Sequence, residues 1–306
     1  SSRMPLWIRS ELGRAAFYGA TAEAVHTHRL HTVCEEAKCP NRGECWSRGT
    51  ATFMLLGDTC TRACAFCAVK TGRPQWFDSE EPQRVAKAAA DLRLKYVVVT
   101  SVNRDDMPDG GAHIFAQTVT ALRDAMPDCG VELLTPDFRA CQDDAIDIIG
   151  TALRALPATA RTDLVWGHNV ETVPRLYRSA RKGSDFKRSL GLLKKAGGLP
   201  GVETKSALML GLGETRNEVL AVLEALRAQH VSRVSLGQYL RPSLAHLAVE
   251  RYVEPAEFAR YEEDARALGF TWVKAGPMVR SSYFAEQHHA WRQRCASVAA
   301  ETHGPL

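Results

Sequence analysis

No stretch of this sequence approaches the run of about eighteen or more apolar residues that a membrane-crossing helix needs, although apolar residues fill 45% of its 306 positions. No membrane association is expected, and a soluble chain with a sizeable buried core is the natural reading. Ser1 to Ser10 lack the apolar run and small-residue cleavage site of a secretory signal, and lack the Arg/Ser-rich amphipathic pattern of a transit peptide. A cytoplasmic location is therefore expected, and the missing initiator Met suggests a processed or trimmed start. Excess charge is also missing. Thirty-nine basic side chains against 35 acidic ones leave +4, too little and too evenly spread for nucleic acid, though a mildly basic surface suits an acidic protein partner. Low-complexity tracts are absent, and Gly211-Leu-Gly213 lacks the spacing of a dinucleotide fingerprint.

What is present is a regular alternation. From about Thr52 onward, short β-branched runs alternate with amphipathic stretches, the pattern of repeated βα units. Strands are predicted at Thr52–Leu56, Tyr96–Thr100, Val131–Thr135, Leu164–His168, Thr204–Leu210 and Arg233–Gly237. Phe115, Val119, Leu122 and Met126 mark one helix face, and Val219, Val222, Leu223 and Leu226 another. A further helix is predicted at Glu257–Leu268 and a strand at Phe270–Lys274. Six parallel strands with helical crossovers form an α/β fold, a partial (β/α)6 parallel barrel, with its site at the strands' C-terminal ends. The expected organisation is an N-terminal extension over residues 1–51, the barrel over 52–240 and a C-terminal extension over 241–306, the extensions covering the barrel's ends.

Nine cysteines are an odd number, and six of them fall between Cys34 and Cys67. Such short clusters in a chain of this size favour metal ligation over disulfides. Cys60, Cys64 and Cys67 follow the first predicted strand with C-x3-C-x2-C spacing, so they occupy the first loop at the barrel's mouth. Three thiolates can hold three irons of a [4Fe–4S] cluster and leave one iron open; a structural zinc knuckle with a distant fourth ligand is the alternative. Cys34, Cys39 and Cys45 form a second triplet, C-x4-C-x5-C, in the irregular N-terminal segment. By spacing alone it reads as a metal, cluster or redox group. Cys129, Cys141 and Cys295 match no motif and read as small buried apolar residues.

The first triplet, with aromatic Phe66 before its last Cys, resembles the radical S-adenosylmethionine superfamily. That resemblance implies a reducing cluster on Cys60, Cys64 and Cys67 whose open iron takes the amino and carboxylate groups of S-adenosylmethionine, releasing a 5′-deoxyadenosyl radical. The string His31-Thr-Val-Cys34-Glu-Glu-Ala-Lys-Cys39-Pro-Asn, ending in Glu44-Cys45-Trp46, resembles the auxiliary-cluster motif of lipoyl synthases. In that family a serine before a tyrosine supplies the auxiliary cluster's fourth ligand; Gly276-Pro-Met-Val-Arg280-Ser281-Ser282-Tyr283 matches, with Ser282 in that place and Arg280 beside it. An alkoxide is a poorer partner for a soft metal than a thiolate, which suits a cluster that is consumed.

The similarity runs from Leu30 to Ala285 through Val102-Asn-Arg-Asp-Asp106, Pro136-Asp-Phe138, His168-Asn-Val-Glu-Thr172, Lys187-Arg-Ser-Leu190 and Gly211-Leu-Gly-Glu214-Thr215. Asn103, Arg104, Asn169, Glu171 and Glu214 fall just after strands and are candidates to orient S-adenosylmethionine, with turn or cap roles as the alternative. Arg139–Arg161 looks longer than the family's linker, and Leu247-Ala248 stands in place of Leu-Pro. The resemblance implies radical insertion of two sulfur atoms at carbons 6 and 8 of a protein-bound octanoyl-lysine, with two [4Fe–4S] clusters and S-adenosylmethionine. Implied partners are octanoylated carriers (lipoyl domains of oxo-acid dehydrogenases and the glycine-cleavage carrier protein), an electron donor such as flavodoxin or ferredoxin, and a cluster-repair protein. A biotin-synthase-like or methylthiotransferase activity, and a non-catalytic protein with two zinc knuckles, are the rival readings.

Overall fold

The computed structural model describes residues 4–9, 30–36, 50–157 and 163–282, with single positions at 27, 41, 45, 159 and 287. Ten strands are described: β1 (His31–Thr32), β2 (Thr50–Leu55), β3 (Thr59–Cys60), β4 (Lys70–Thr71), β5 (Tyr96–Ser101), β6 (Gly130–Leu134), β7 (Leu164–Gly167), β8 (Val202–Leu210), β9 (Arg233–Gln238) and β10 (Trp272–Gly276). The main sheet runs in the order β1-β2-β5-β6-β7-β8-β9-β10, and every neighbouring pair is parallel except β1 with β2. Its outer strands, β1 and β10, are not paired to each other. The result is an open, partial barrel.

All six predicted strands are present, each within two residues of its expected start. Their register is set by which residues can be buried: a one-residue slip would turn each strand's apolar set to the wrong face. Helix α1 (Glu81–Asp91) crosses from β2 to β5, α2 (Ala112–Ala125) from β5 to β6, α3 (Gln142–Ala155) from β6 to β7, α4 (Phe186–Gly197) from β7 to β8 and α5 (Arg216–Ala228) from β8 to β9. Helix α6 (Pro255–Ala267) precedes β10. Phe53, Leu55, Val97, Val99, Val131 and Leu133 alternate along three strands and pack with Val85, Phe115, Val119 and Leu122 into one core. Val234, Leu236, Val219, Val222, Leu223 and Leu226 belong to a second. The stretch 139–161 is not a bare linker, because Gln142–Ala155 is the crossover helix α3. Thr215 and Glu218 cap the start of α5 reciprocally, satisfying two amide donors that a helix end leaves open.

The barrel's inner face is polar where the outer is not. Fully buried Glu132 accepts from Lys205 Nζ at 2.8 Å and from Tyr96 Oη at 3.2 Å, and Lys205 lies over the Trp272 ring. Among the described residues no helix is long and apolar enough to cross a membrane.

Candidate active site at the mouth of the barrel

Strand β2 ends at Leu55, and Leu56 and Gly57 turn the chain through left-handed backbone angles (φ 68° and 86°) into the loop that carries Cys60, Cys64 and Cys67. A leucine there is strained. The strain is held by buried Glu81 at the start of α1, whose Oε2 accepts the Leu56 N–H at 2.7 Å. Burial pushes the Glu81 carboxyl up to about 7, the Leu56 amide acting against it.

The loop is then fastened on three sides. Strand β3 pairs with β4, so Cys60 lies beside Thr71. Thr61 N donates to Asn103 O at 3.0 Å, placing the loop on the segment after β5. Ala65 N donates to Ala180 O at 2.9 Å, and Leu247 N to Ala65 O at 3.0 Å, while a His246 ring nitrogen lies 3.0 Å from Cys67 O. Between the first two cysteines, Arg62 holds Asp105 through both carboxylate oxygens at 2.7 and 2.6 Å and reaches Asp137 Oδ1 at 2.7 Å. Asp137 also takes Arg188 of α4 at 2.9 Å. Burial alone would push Asp137 up, but the facing Arg62, with help from His168 and Arg188, holds it down at about 2. Arg62 is correspondingly raised: burial works against its charge, and Asp105 and Asp137 outweigh it.

The cysteines differ in their surroundings. Cys60 Sγ accepts the amides of Arg62 at 3.4 Å and Asn103 at 3.3 Å, an arrangement that suits an anionic sulfur. Burial pushes the Cys64 thiol up to about 12; Cys67, Glu171 and Cys60 add to that and Arg181 opposes it. Cys67 is raised by burial too, against the Val69 amide. As lone thiols, Cys64 and Cys67 stay neutral. A cationic centre between them reverses that preference, so a set of soft sulfur donors, one already given amide donors, fits an iron–sulfur cluster.

The other expected cofactor residues divide. Asn169 hydrogen-bonds to Glu171 and leaves its own Oδ1 enclosed without a partner. Glu171 is raised by burial, adopts a left-handed conformation (φ 66°) and exchanges backbone bonds with Ala207 and Met209 of β8, so it is fixed at the mouth. Asn103 meets the site through its backbone, while the Arg104 guanidinium binds Asp106 at 2.8 Å and lines a cavity of about 230 Å³ with Met107, Phe138 and Cys141. Glu214 is buried and spends both oxygens on the Gly211 and Leu212 amides, at 2.6 and 2.9 Å, shaping its own loop. Phe66 is half-buried on the cysteine loop.

The second site is described in part. Cys39 and Tyr283 lie outside the described residues, as does the side chain of Cys34; Cys45 is half-buried, and its N–H donates to Asn41 O at 3.0 Å. Asn41 Nδ2 donates to Met278 O at 2.6 Å, and Thr52 Oγ1 on β2 lies 3.1 Å from Ser282 Oγ, so segments more than 200 residues apart in sequence meet in both contacts. Arg280 turns back on the Val279 carbonyl at 2.7 Å. Gly237 of β9 makes room for this segment: a Cβ there would stand 2.0 Å from Val279 O. Of the unassigned cysteines, Cys129 is buried, and burial pushes its thiol up to about 11; Cys141 lines the cavity above, and Cys295 lies outside the described residues. Nothing in the sequence singles out Arg62, Glu81 or Arg181 except, for the first, its place between Cys60 and Cys64.

A parallel βα sheet with three cysteines on its first loop defines the class, and residues 54–226 match the Radical SAM superfamily. Solved structures agree in fold: Streptococcus suis SuiB bound to its precursor peptide SuiA has a TM-score of 0.55 at 10% identity, covering 84% of this chain and 52% of that one. Methylornithine synthase has a TM-score of 0.52 at 12% identity, covering 87% and 80%. Much nearer in sequence are curated lipoyl synthases from Methylobacillus flagellatus, 52% identical over 93% of this chain and 85% of that protein, and from Chloroflexus aurantiacus, 48% identical over 94% and 90%. The chain belongs to the lipoyl synthase family; it is a radical S-adenosylmethionine sulfurtransferase whose cofactors are [4Fe–4S] clusters and S-adenosylmethionine.

Proposed function

We propose the following division of labour for radical insertion of sulfur at carbons 6 and 8 of a protein-bound octanoyl-lysine. Cys60, Cys64 and Cys67 hold the reducing cluster, and Cys34, Cys39, Cys45 and Ser282 hold the auxiliary one. Bound there, the reducing cluster and S-adenosylmethionine supply a carbon-centred radical, and the auxiliary cluster supplies sulfur. Arg62, Asp105 and Asp137 fix the cysteine loop, since a radical reacts with whatever lies nearest and placement is the protein's main contribution. Glu81 keeps the strained turn at Leu56 from relaxing. Asn169 and Glu171 orient S-adenosylmethionine at the mouth. Arg280 and Ser282 lie on the segment that closes over β2.

The observation that supports this reading is the contact of Thr52 with Ser282, which sets Ser282 against β2, the neighbour of β1, and β1 ends two residues before Cys34 in the sequence. Residues 1–51 and 241–306 are read as extensions of a barrel spanning 52–240, and β10, from the second of them, adds a parallel strand beside β9. Octanoylated carrier proteins are the substrates. A low-potential electron donor such as flavodoxin or ferredoxin, and a repair protein that rebuilds the consumed cluster, complete the partners, in the cytoplasm. Anaerobic reconstitution should yield about eight iron per chain, as two four-iron clusters require. A single-turnover assay with an octanoylated peptide should then give doubly thiolated product. Colourless protein containing zinc would overturn the assignment.

A further inference from the structure

Large apolar side chains grouped in water on a protein's surface mark places where something binds. Leu6 and Trp7 apart, the large apolar side chains exposed among the described residues are Trp76 at 69%, Phe77 at 40% and Leu244 at 88%. These three belong to segments that hydrogen-bond to the cysteine loop. Gly72 N donates to Cys60 O at 2.9 Å and Thr71 pairs with Cys60 between β3 and β4, which ties the stretch ending in Trp76 and Phe77 to the loop's first cysteine. The Phe77 ring meets His113 of α2 edge-on, 5.7 Å between centroids, and leaves the Trp76 indole outward. At the loop's other end, Leu247 N donates to Ala65 O and a His246 ring nitrogen lies 3.0 Å from Cys67 O; Leu244 stands two residues before that histidine, its carbonyl taken by Arg241.

Between these anchors the loop is low. Ala63, Ala65 and Ala68 have no side chain beyond Cβ, and Ala63 is exposed, so a visiting protein can come close to the cysteines. The rim is cationic. Lys70 and Arg73 on the first stretch are exposed and make no ion pair with a described residue. The same holds for Lys182, two residues after Ala180, whose carbonyl takes the Ala65 amide. Of the three carboxylates between residues 57 and 80, Asp58 accepts from Thr59 Oγ1 at 2.7 Å and Asp78 holds Arg84 at 2.8 Å, leaving Glu80 at the head of α1 as the exposed acid without such a partner. Apolar anchors inside a polar rim are how protein interfaces are built, and excess positive charge selects and steers an acidic partner.

Two protein partners have to reach this enzyme. A carrier must deliver its acyl chain to the buried interior where Thr52 meets Ser282, whereas an electron donor needs only a close approach to Cys60, Cys64 and Cys67 from outside, which this face offers. We propose that Trp76 and Leu244, flanked by Lys70, Arg73 and Lys182, form the docking surface for an acidic one-electron carrier protein. The donor is oxidised by one electron and the cluster on the three cysteines is reduced by one; no proton moves. Redox encounters of this kind bury little area and are short-lived, so two anchors and a few steering charges suffice. The proposal rests on the assignment of the three cysteines, which iron content and dithionite-driven formation of 5′-deoxyadenosine test by themselves.

Flavodoxin and a [2Fe–2S] ferredoxin are the probes. Each is titrated in its oxidised form onto reconstituted enzyme to give Kd, and each is photoreduced to give the rate of cluster reduction. Combined Lys70→Glu and Arg73→Glu should weaken the tighter-binding probe at least tenfold at low salt and much less at high salt, where exposed charges are screened. Trp76→Ala should weaken it at least tenfold at both, since the contact of an indole is not screened. Cleavage of S-adenosylmethionine driven by dithionite, a small reductant that needs no docking, should be unchanged in both variants. Wild-type binding and reduction rates in both variants would overturn the proposal, as would a wild type that binds neither probe. A rise confined to the KM for octanoylated carrier under dithionite would also overturn it, by seating the carrier on this face. If dithionite gives no 5′-deoxyadenosine even in the wild type, the cysteine assignment falls and the proposal with it.

Discussion

Glu81 accepts the amide of Leu56, the left-handed residue at the entrance to the cysteine loop, at 2.7 Å. The pairing sets a carboxyl that burial has pushed up to about 7 against a backbone that needs it. A group raised in the folded state favours folding fully below its unfolded value of about 4.5, and that contribution is lost as pH rises toward about 7. Stability should therefore fall over this window, by on the order of 3 kcal/mol from this group. Glu81→Gln, neutral throughout, should flatten that slope in denaturant titrations run from acid to neutral pH.

Asp137 works in the opposite direction. Held at about 2 by Arg62 against an ordinary value of 3.8, it contributes stability present above about 3.8 and lost as pH falls toward about 2. Asp137→Asn leaves a buried arginine short of a partner and should cost about 3 kcal/mol. The midpoint of chemical unfolding of the apoprotein measures it. An unchanged midpoint would mean that Asp105 alone secures Arg62.

The two sets of cysteines should separate in assay. Cys64→Ala should abolish reductive cleavage of S-adenosylmethionine, because losing one thiolate uncovers a second iron. Cys45→Ala should still release 5′-deoxyadenosine yet form no carbon–sulfur bond. Normal lipoyl product from Cys45→Ala would sink the idea that this cysteine helps hold the sulfur donor.

Which parts of this were legible beforehand follows from how local the signals are. Strand β5 shows itself in Tyr96-Val-Val-Val-Thr100, and the cysteine loop in a spacing of eight residues, because period and spacing act over one turn or one strand. Arg62 does not disclose Asp137, nor Gly237 the carbonyl of Val279, since those partners come from other loops. Asp105 and Asp137 fell inside recognisable strings, but only the fold turns both toward one guanidinium. Glu214 shows the converse: a carboxylate after a strand suggested a ligand contact, and the loop's own amides occupy it.

Ser282 should govern when iron leaves rather than whether radicals form. Ser282→Ala should keep 5′-deoxyadenosine formation and block sulfur insertion or stop it after the first atom. Ser282→Cys should hold a normal or firmer cluster and turn over poorly, since thiolate suits iron better than alkoxide does. The ratio of singly to doubly thiolated peptide reports both. Wild-type rates of doubly thiolated product from both variants would make Ser282 an ordinary loop residue.

Gly237→Ala places a methyl group 2.0 Å from the Val279 carbonyl, and backbone must move to admit it. That displacement falls on the segment leading to Ser282, not on the cysteine loop. Sulfur insertion should drop at least tenfold while cleavage of S-adenosylmethionine changes little; an equal loss of both would place the strain elsewhere.

The contact between Thr52 and Ser282 spans 230 residues of chain, whereas the Arg62 bridge to Asp105 spans 43. At a synthesis rate of about 5–20 residues per second, the longer contact must wait roughly 10–50 s after Thr52 is made. Closing so long a loop also carries a larger entropic cost than closing the short one. The Arg62–Asp105 brace on the cysteine loop can thus form on a nascent chain while the Ser282 side of the second site has yet to be translated. A chain ending at residue 276, which keeps His246 and Leu247 against the cysteine loop but lacks Ser282, should protect Cys60, Cys64 and Cys67 from alkylation while Cys45 stays reactive, which makes the order of assembly a property of how far apart two hydroxyls stand in the sequence.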